Sequence, residues 1–165
     1  MSDVTKFLAD DHARIRRAIS EYWRTPSNLD AALNVCDTLW IHMTIEVEIQ
    51  RSLGDGSTEA GYAMGVADDR LHTAMEGIEG LEPGDPSLPA RMTVLSRALD
   101  GHVEAFQQNL VPRLAGRSDA QEMGSRAFQR WQELFESKTP RTWTPMRRLA
   151  NTGWGGGGKL ANSGW

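Results

Sequence analysis

The sequence predicts an all-α protein: an up-down four-helix bundle with a fifth, short helix and an irregular C-terminal tail. Three observations carry this. Apolar residues recur at the helical period in five successive segments. No segment shows the period-2 alternation of a half-buried strand over a useful length. The breaks between segments are short, and short connections make consecutive helices antiparallel neighbours.

The first helix lies within residues 3–24, with Val4, Leu8, Ile15, Ile19 and Tyr22 on one stripe. Residues 24–28 break it, and Ser27 with Asp30 three residues on reads as the cap of the second helix. That helix carries Val35, Leu39, Ile45, Ile49 and Leu53 inward, and the turn 54–57 ends it. A third helix runs from about Thr58 to Ile78 with Met64, Leu71, Met75 and Ile78 inward. Gly80 and the cluster 83–86 stop it, and Asp85 before Pro86 is a good start for a fourth, because proline fits the first turn. The fourth stripe is Met92, Leu95, Leu99, Phe106 and Leu110, closed by Gly116. Residues 118–121 resemble a capping box for a fifth helix ending near Ser137, with Met123, Ala127, Trp131, Leu134 and Phe135 on its apolar face. The expected units are therefore 1–117 for the bundle, 118–137 for a helix packed on it, and 138–165 for the tail.

Charge divides the chain in the same place. The formal net charge is −4 over 165 residues. Residues 138–165 hold five bases and no acid, leaving 13 bases and all 22 acids, a net −9, before them. An acidic body repels phosphates, so no nucleic-acid partner is expected. No run approaches the ~18 apolar residues of a membrane span, so no membrane partner is expected either. Cys36 stands alone, which excludes a disulfide scaffold. The first residues lack the basic and apolar regions of a secretory signal, and the expected compartment is the cytoplasm.

The histidines carry the chemistry. There are four, His12, His42, His72 and His102, one on each of the first four helices. Each falls where the helical period points inward. An inward stripe covers about three of seven positions, so four such placements by chance have a probability of about 3 %. One core histidine is ordinarily just hydrogen-bonded, but four that converge leave donors and acceptors needing partners in a dry core. A metal ion answers that need, and imidazole suits iron, zinc, copper and nickel. Glu46 lies four residues after His42 and Asp68 four before His72, each pair on one helix face. A buried carboxylate also calls for a cation.

This arrangement resembles the hemerythrin-like (HHE cation-binding) domain family of non-haem iron proteins. The matching pieces are 11–15 on the first helix, 42–46 on the second, His72 on the third, and His102 with Leu110, Val111 and Pro112 on the fourth. The resemblance covers about residues 3–116. It implies a four-helix bundle holding one or two iron ions, with zinc possible, on His12, His42, Glu46, His72, His102 and Asp68. It also implies handling of dioxygen, nitric oxide, peroxide or iron, with a small diatomic molecule or peroxide as the ligand at the metal. A metal-dependent oxidase or peroxidase-like enzyme is the alternative. The family pattern has an acid four or five residues after the fourth-helix histidine, bridging two irons. Here Phe106 and Gln107 stand there, while Glu104 points about 200° away from His102. The six side chains can hold two ions bridged by Glu46, or one ion with Phe106 filling the second place.

Thr38 and Gln107 are candidate outer partners of the ligands. Thr38 lies one turn before His42, and its competing role is a bond to its own helix backbone. Asp11 and Asp69 flank inward positions and read as solvated acids, as does Asp37. Cys36 and the methionines 64, 75 and 92 read as core.

The tail repeats itself. Residues 148–154 (RLANTGW) and 159–165 (KLANSGW) are the same heptapeptide with two conservative exchanges, separated by four glycines. Two copies of a basic-aromatic motif on a flexible linker read as bivalent docking to a symmetric protein or shell. Trp154 and Trp165 are the expected anchors, with Arg148 and Lys159 steering. The competing readings are a duplicated segment without a role and a tail that lies back on its own domain. Some hemerythrin-like proteins are encapsulin cargo with short C-terminal loading peptides. That makes a cargo or adaptor protein with a structural metal a further alternative.

Overall fold

A computed structural model describes residues 3–54 and 58–137. The docking residues Arg148, Trp154, Lys159 and Trp165 lie outside them. The described residues are all-helical, without strands. They form α1 (Val4–Tyr22), α2 (Leu29–Ser52), α3 (Glu59–Glu79), α4 (Leu88–Ala105), a π-helical turn (Phe106–Leu110), α5 (Val111–Leu114) and α6 (Ala120–Glu136). None of these helices is long and apolar enough to cross a membrane.

Caps set the starts. Asp3 accepts from the Lys6 N–H at 2.8 Å to open α1, and Thr58 caps α3 through the Gly61 N–H at 3.0 Å. The expected Ser27 cap of α2 moves one residue, because Asn28 accepts from the Ala31 N–H at 3.1 Å. Helix α4 begins after Ser87, two residues later than Pro86 suggested, since the Asp85 carboxylate turns the chain by accepting from the Ser87 N–H at 2.8 Å. No capping box opens α6. Asp119 precedes it, but its carboxylate takes both arms of Arg117 at 2.8 Å instead of a backbone N–H.

The apolar stripes bury as their spacing dictates, in two clusters. One joins Ile15 to Tyr22 of α1, Val35 to Met43 of α2, Leu71 to Ile78 of α3 and Leu88 to Val103 of α4. The other joins Val4 to Leu8 of α1, Ile41 to Ile49 of α2, Met64, Phe106, Leu110, Leu114 and the inner face of α6. Helices α1 and α3 enter the first cluster with their C-terminal halves and α2 chiefly with its N-terminal half, while α4 lines it along its whole length. Helix α6 packs on α1 and α2. Its apolar face is narrower than expected: Phe135 is half exposed at 52 %, and Trp131 is only partly buried.

The fourth helix does not continue unbroken to Gly116. Pro112 has no N–H to donate and its ring crowds the carbonyl one turn back, so the α-helical bond from residue 112 to Gln108 cannot form. The chain widens to a π turn just before the proline, where the Val111 N–H bonds the Phe106 carbonyl. The Asn109 side chain donates to the Ala105 carbonyl at 2.8 Å within this turn.

Glu79, near the end of α3, is partly buried, and this with the charges of Asp37 and Glu76 pushes its carboxyl up to about 7. A carboxyl raised above its ordinary value contributes stability below that value and loses it as pH rises through the folded one. Glu79→Gln should therefore raise the melting temperature at pH 8 and leave it nearly unchanged at pH 5. Solvent screening limits the gain to under about 1 kcal/mol, or ~2–4 °C for a chain of this size. Equal shifts at both pH values would refute it.

Candidate metal centre

Between the two apolar clusters lies a layer of buried polar side chains: Asp11, His12, His42, Glu46, Asp68 and His102. Each sits on its helix where one cluster ends and the other begins. His12 comes from α1, His42 and Glu46 from successive turns of α2, and His102 from α4. Their ligand atoms all lie within 4.8 Å of one another.

His102 Nε2 is 3.3 Å from His12 Nε2 and 3.2 Å from His42 Nε2. Glu46 Oε2 is 3.0 Å from His42 Nε2 and 3.1 Å from His102 Nε2, yet it makes no properly angled hydrogen bond. Ligand atoms about 2.0–2.1 Å from one ion stand ~3.3 Å apart in a tetrahedron and ~3.0 Å apart at neighbouring octahedral corners. The separations among His42, Glu46 and His102, and from His102 to His12, fall in that range, and His12 lies within 4.8 Å of the other two ligand atoms. Three imidazole nitrogens and one orphaned carboxylate oxygen, aimed at one another in a dry core, are a donor set that fits a single metal ion.

Carboxylates hold the far side of two rings. His42 Nδ1 donates to Asp11 Oδ2 at 3.0 Å, and His102 Nδ1 donates to Asp68 Oδ1 at 2.9 Å. Each bond fixes the tautomer that leaves the Nε2 lone pair facing the centre. Asp11 is held in turn by Arg14, whose guanidinium lies 4.6 Å from the centre of the Trp131 ring on α6. On the other carboxylate pair, the Gln50 amide donates to Glu46 Oε1 at 3.2 Å and approaches Asp68 Oδ2 at 3.5 Å.

The electrostatics follow from burial and these partners. Burial, helped by the neighbouring His42, pushes His12 down to about 2, so its ring is a neutral donor. Burial also lowers His102, but the Glu46 charge and the Asp68 hydrogen bond outweigh it and push the ring up to about 10. His42 is raised in the same way by Asp11 and Glu46 against burial. Burial raises Glu46, but His102 and His42 overcome that and hold it well below the ordinary carboxylate range. Without a cation the cluster balances Glu46 with imidazole protons. With a cation those nitrogens become ligands and the protons leave.

The expected set is thus brought together only in part. His12, His42, Glu46 and His102 converge. Asp68 is buried as expected but serves the His102 ring. His72, one turn beyond it, is half-buried and outside the converging group. Thr38 is not a partner of His42: its hydroxyl donates to the Asn34 carbonyl at 2.8 Å, the ordinary bond of a mid-helix threonine. Gln107 is exposed, turned outward on the π turn, so it has no place behind the ligands. Asp11, read as solvated, is fully buried. The signal was present, since Asp11 follows Leu8 by three and precedes Ile15 by four on the inward stripe. Gln50 was marked by its place one turn after Glu46.

Fold and site together define an all-helical protein with a buried three-histidine, one-carboxylate cluster able to hold a metal ion. No family model, curated protein or solved structure matches the chain.

Asp11→Asn removes the charge that orients His42 while keeping the side chain's shape. It should weaken cobalt(II) binding roughly 10–100-fold, the usual effect of losing such a partner. Titration calorimetry on the folded variant checks this, and an unchanged Kd would show that Asp11 is not part of the centre.

Proposed function

We propose that the chain is a hemerythrin-like non-haem iron protein. The alternating entry of α1, α2 and α3 into the first apolar cluster, with the π turn after α4 entering the second, supports an up-down four-helix bundle over 1–117, with 118–137 packed on it. The observation that carries the function is the convergence of four ligand atoms on one point. In this reading His12, His42, Glu46 and His102 hold one iron ion, and Asp11 and Asp68 orient the rings. Zinc fits the same donors. When bound, iron supplies open coordination positions and a change of oxidation state, which suits dioxygen, nitric oxide or peroxide as ligand. The chain's own residues bind, orient and exclude water. Phe106 packs edge-on to His12 with ring centres 4.9 Å apart and closes one flank of the centre with an apolar surface. The apolar clusters above and below keep the layer dry.

Metal analysis of the purified protein tests this. One equivalent of iron or zinc per chain is expected. At 100 times Kd, a bound ion should stabilise the fold by ~2.7 kcal/mol, or roughly 5–10 °C in melting temperature. Absence of stoichiometric metal, with no thermal shift on adding iron or zinc, would overturn the proposal.

A second reading concerns the tail and rests on its duplicated heptapeptide. Residues 148–165 of the tail dock on a symmetric protein or shell, with Trp154 and Trp165 as anchors and Arg148 and Lys159 steering them to an acidic surface. Deleting 155–165 leaves one copy and removes the effective concentration of the second. Recovery of a partner co-purified with the full chain should then fall by at least tenfold, not twofold. Equal recovery would leave the duplication without a bivalent role.

A further inference from the structure

Glu46 turns Oε2 to the three imidazoles and leaves Oε1 on its other side. Asp68 gives Oδ1 to His102 and leaves Oδ2. The Gln50 amide nitrogen reaches both remaining oxygens, at 3.2 Å and 3.5 Å. The two carboxylates are 1 % and 5 % exposed. Oxygens so deeply buried need either an N–H donor or a cation. An amide NH2 carries two hydrogens, one for each oxygen.

We propose that Gln50 limits the centre to a single ion, its amide occupying the place between Glu46 Oε1 and Asp68 Oδ2 that a second cation would take. This rests on the metal centre proposed above and adds the residue that limits it to one ion. The two oxygens come from different helices, α2 and α3, and among the described residues the Gln50 side chain bridges them. A carboxylate bridging two ions would use both of its oxygens, so a donor on Oε1 competes directly with a second metal. Phe106 acts in the same sense on the His12 flank, where its ring offers no ligand atom. Gln50 is thus a positioning residue whose neutral N–H groups do for the outer oxygens what a cation would otherwise do.

Cobalt(II) titration of the full-length protein, followed by calorimetry and by the visible absorption of the ion, decides the matter. Wild type should take one equivalent. Gln50→Glu sets a third carboxylate between the two oxygens and should take two, with a second step in the visible spectrum. Gln50→Ala vacates the place without adding charge. It should also take a second ion, with a Kd at least tenfold above the first, and it serves if Gln50→Glu fails to fold by circular dichroism. A merely structural Gln50 would change the melting temperature and leave the stoichiometry at one in both variants, which overturns the inference. Two equivalents in wild type would also overturn it while leaving the metal centre intact. No binding in wild type would instead remove the metal centre itself.

Discussion

The layer of crossed imidazole and carboxylate contacts sets the register of the whole structure. Asp11 to His42 ties α1 to α2, Asp68 to His102 ties α3 to α4, and the meeting of His12, His42, Glu46 and His102 ties the two pairs together. Leucine and isoleucine stripes tolerate sliding, because one buried apolar contact resembles the next. A polar contact does not. Slipping any helix by one turn moves its side chain about 5.4 Å and leaves a buried carboxylate or imidazole unpaired, at several kcal/mol for a charge. The apolar clusters on either side supply the favourable burial, roughly 1.5–3 kcal/mol for each large side chain. The layer between them selects one alignment.

The same constraint explains the interruption after α4. His102 must face the centre at 0 % exposure, and eight residues later Leu110 must reach the second apolar cluster. Pro112 cannot make the ordinary helical bond back to Gln108, just where the chain passes between these two demands. The π turn absorbs the difference by giving the chain one longer hydrogen-bonded ring. It also sets Phe106 against His12 and turns Gln107 to solvent. The positions four and five residues after His102 thus present an apolar wall on one side and an exposed amide on the other.

The number of long helices and most of the core were legible because each rests on one local rule. Spacing of Leu39, Ile45 and Ile49 decides which face of α2 is buried, whatever packs against it. Three of the four inward histidines and Glu46 converge for the same reason. The misses arise where a side chain had a choice of partner. Thr38 took its own backbone, Asp119 took Arg117, and Asp85 took the Ser87 N–H, all local options that compete with a ligand or a cap. Asp11 was misread because an acid on an apolar stripe is usually displaced to solvent. Here it has an imidazole to accept from and a guanidinium to balance it, both contributed by residues whose proximity only the fold creates.

Asp11 also joins the centre to α6. One oxygen accepts from His42, the other meets Arg14, and Arg14 stacks on Trp131. Trp131 in turn stacks on Phe135 with ring centres 5.0 Å apart. A cation over an indole is worth ~0.5–2 kcal/mol, comparable to the hydrogen bond it supports. Arg14 is one-third exposed, so without Trp131 its charge would find water as good a partner as Asp11. The stacked ring withdraws that alternative and keeps the guanidinium on the carboxylate. The fifth long helix is therefore more than a cover over α1 and α2: through three side chains it fixes the orientation of His42, and so the direction in which one of the four converging atoms points.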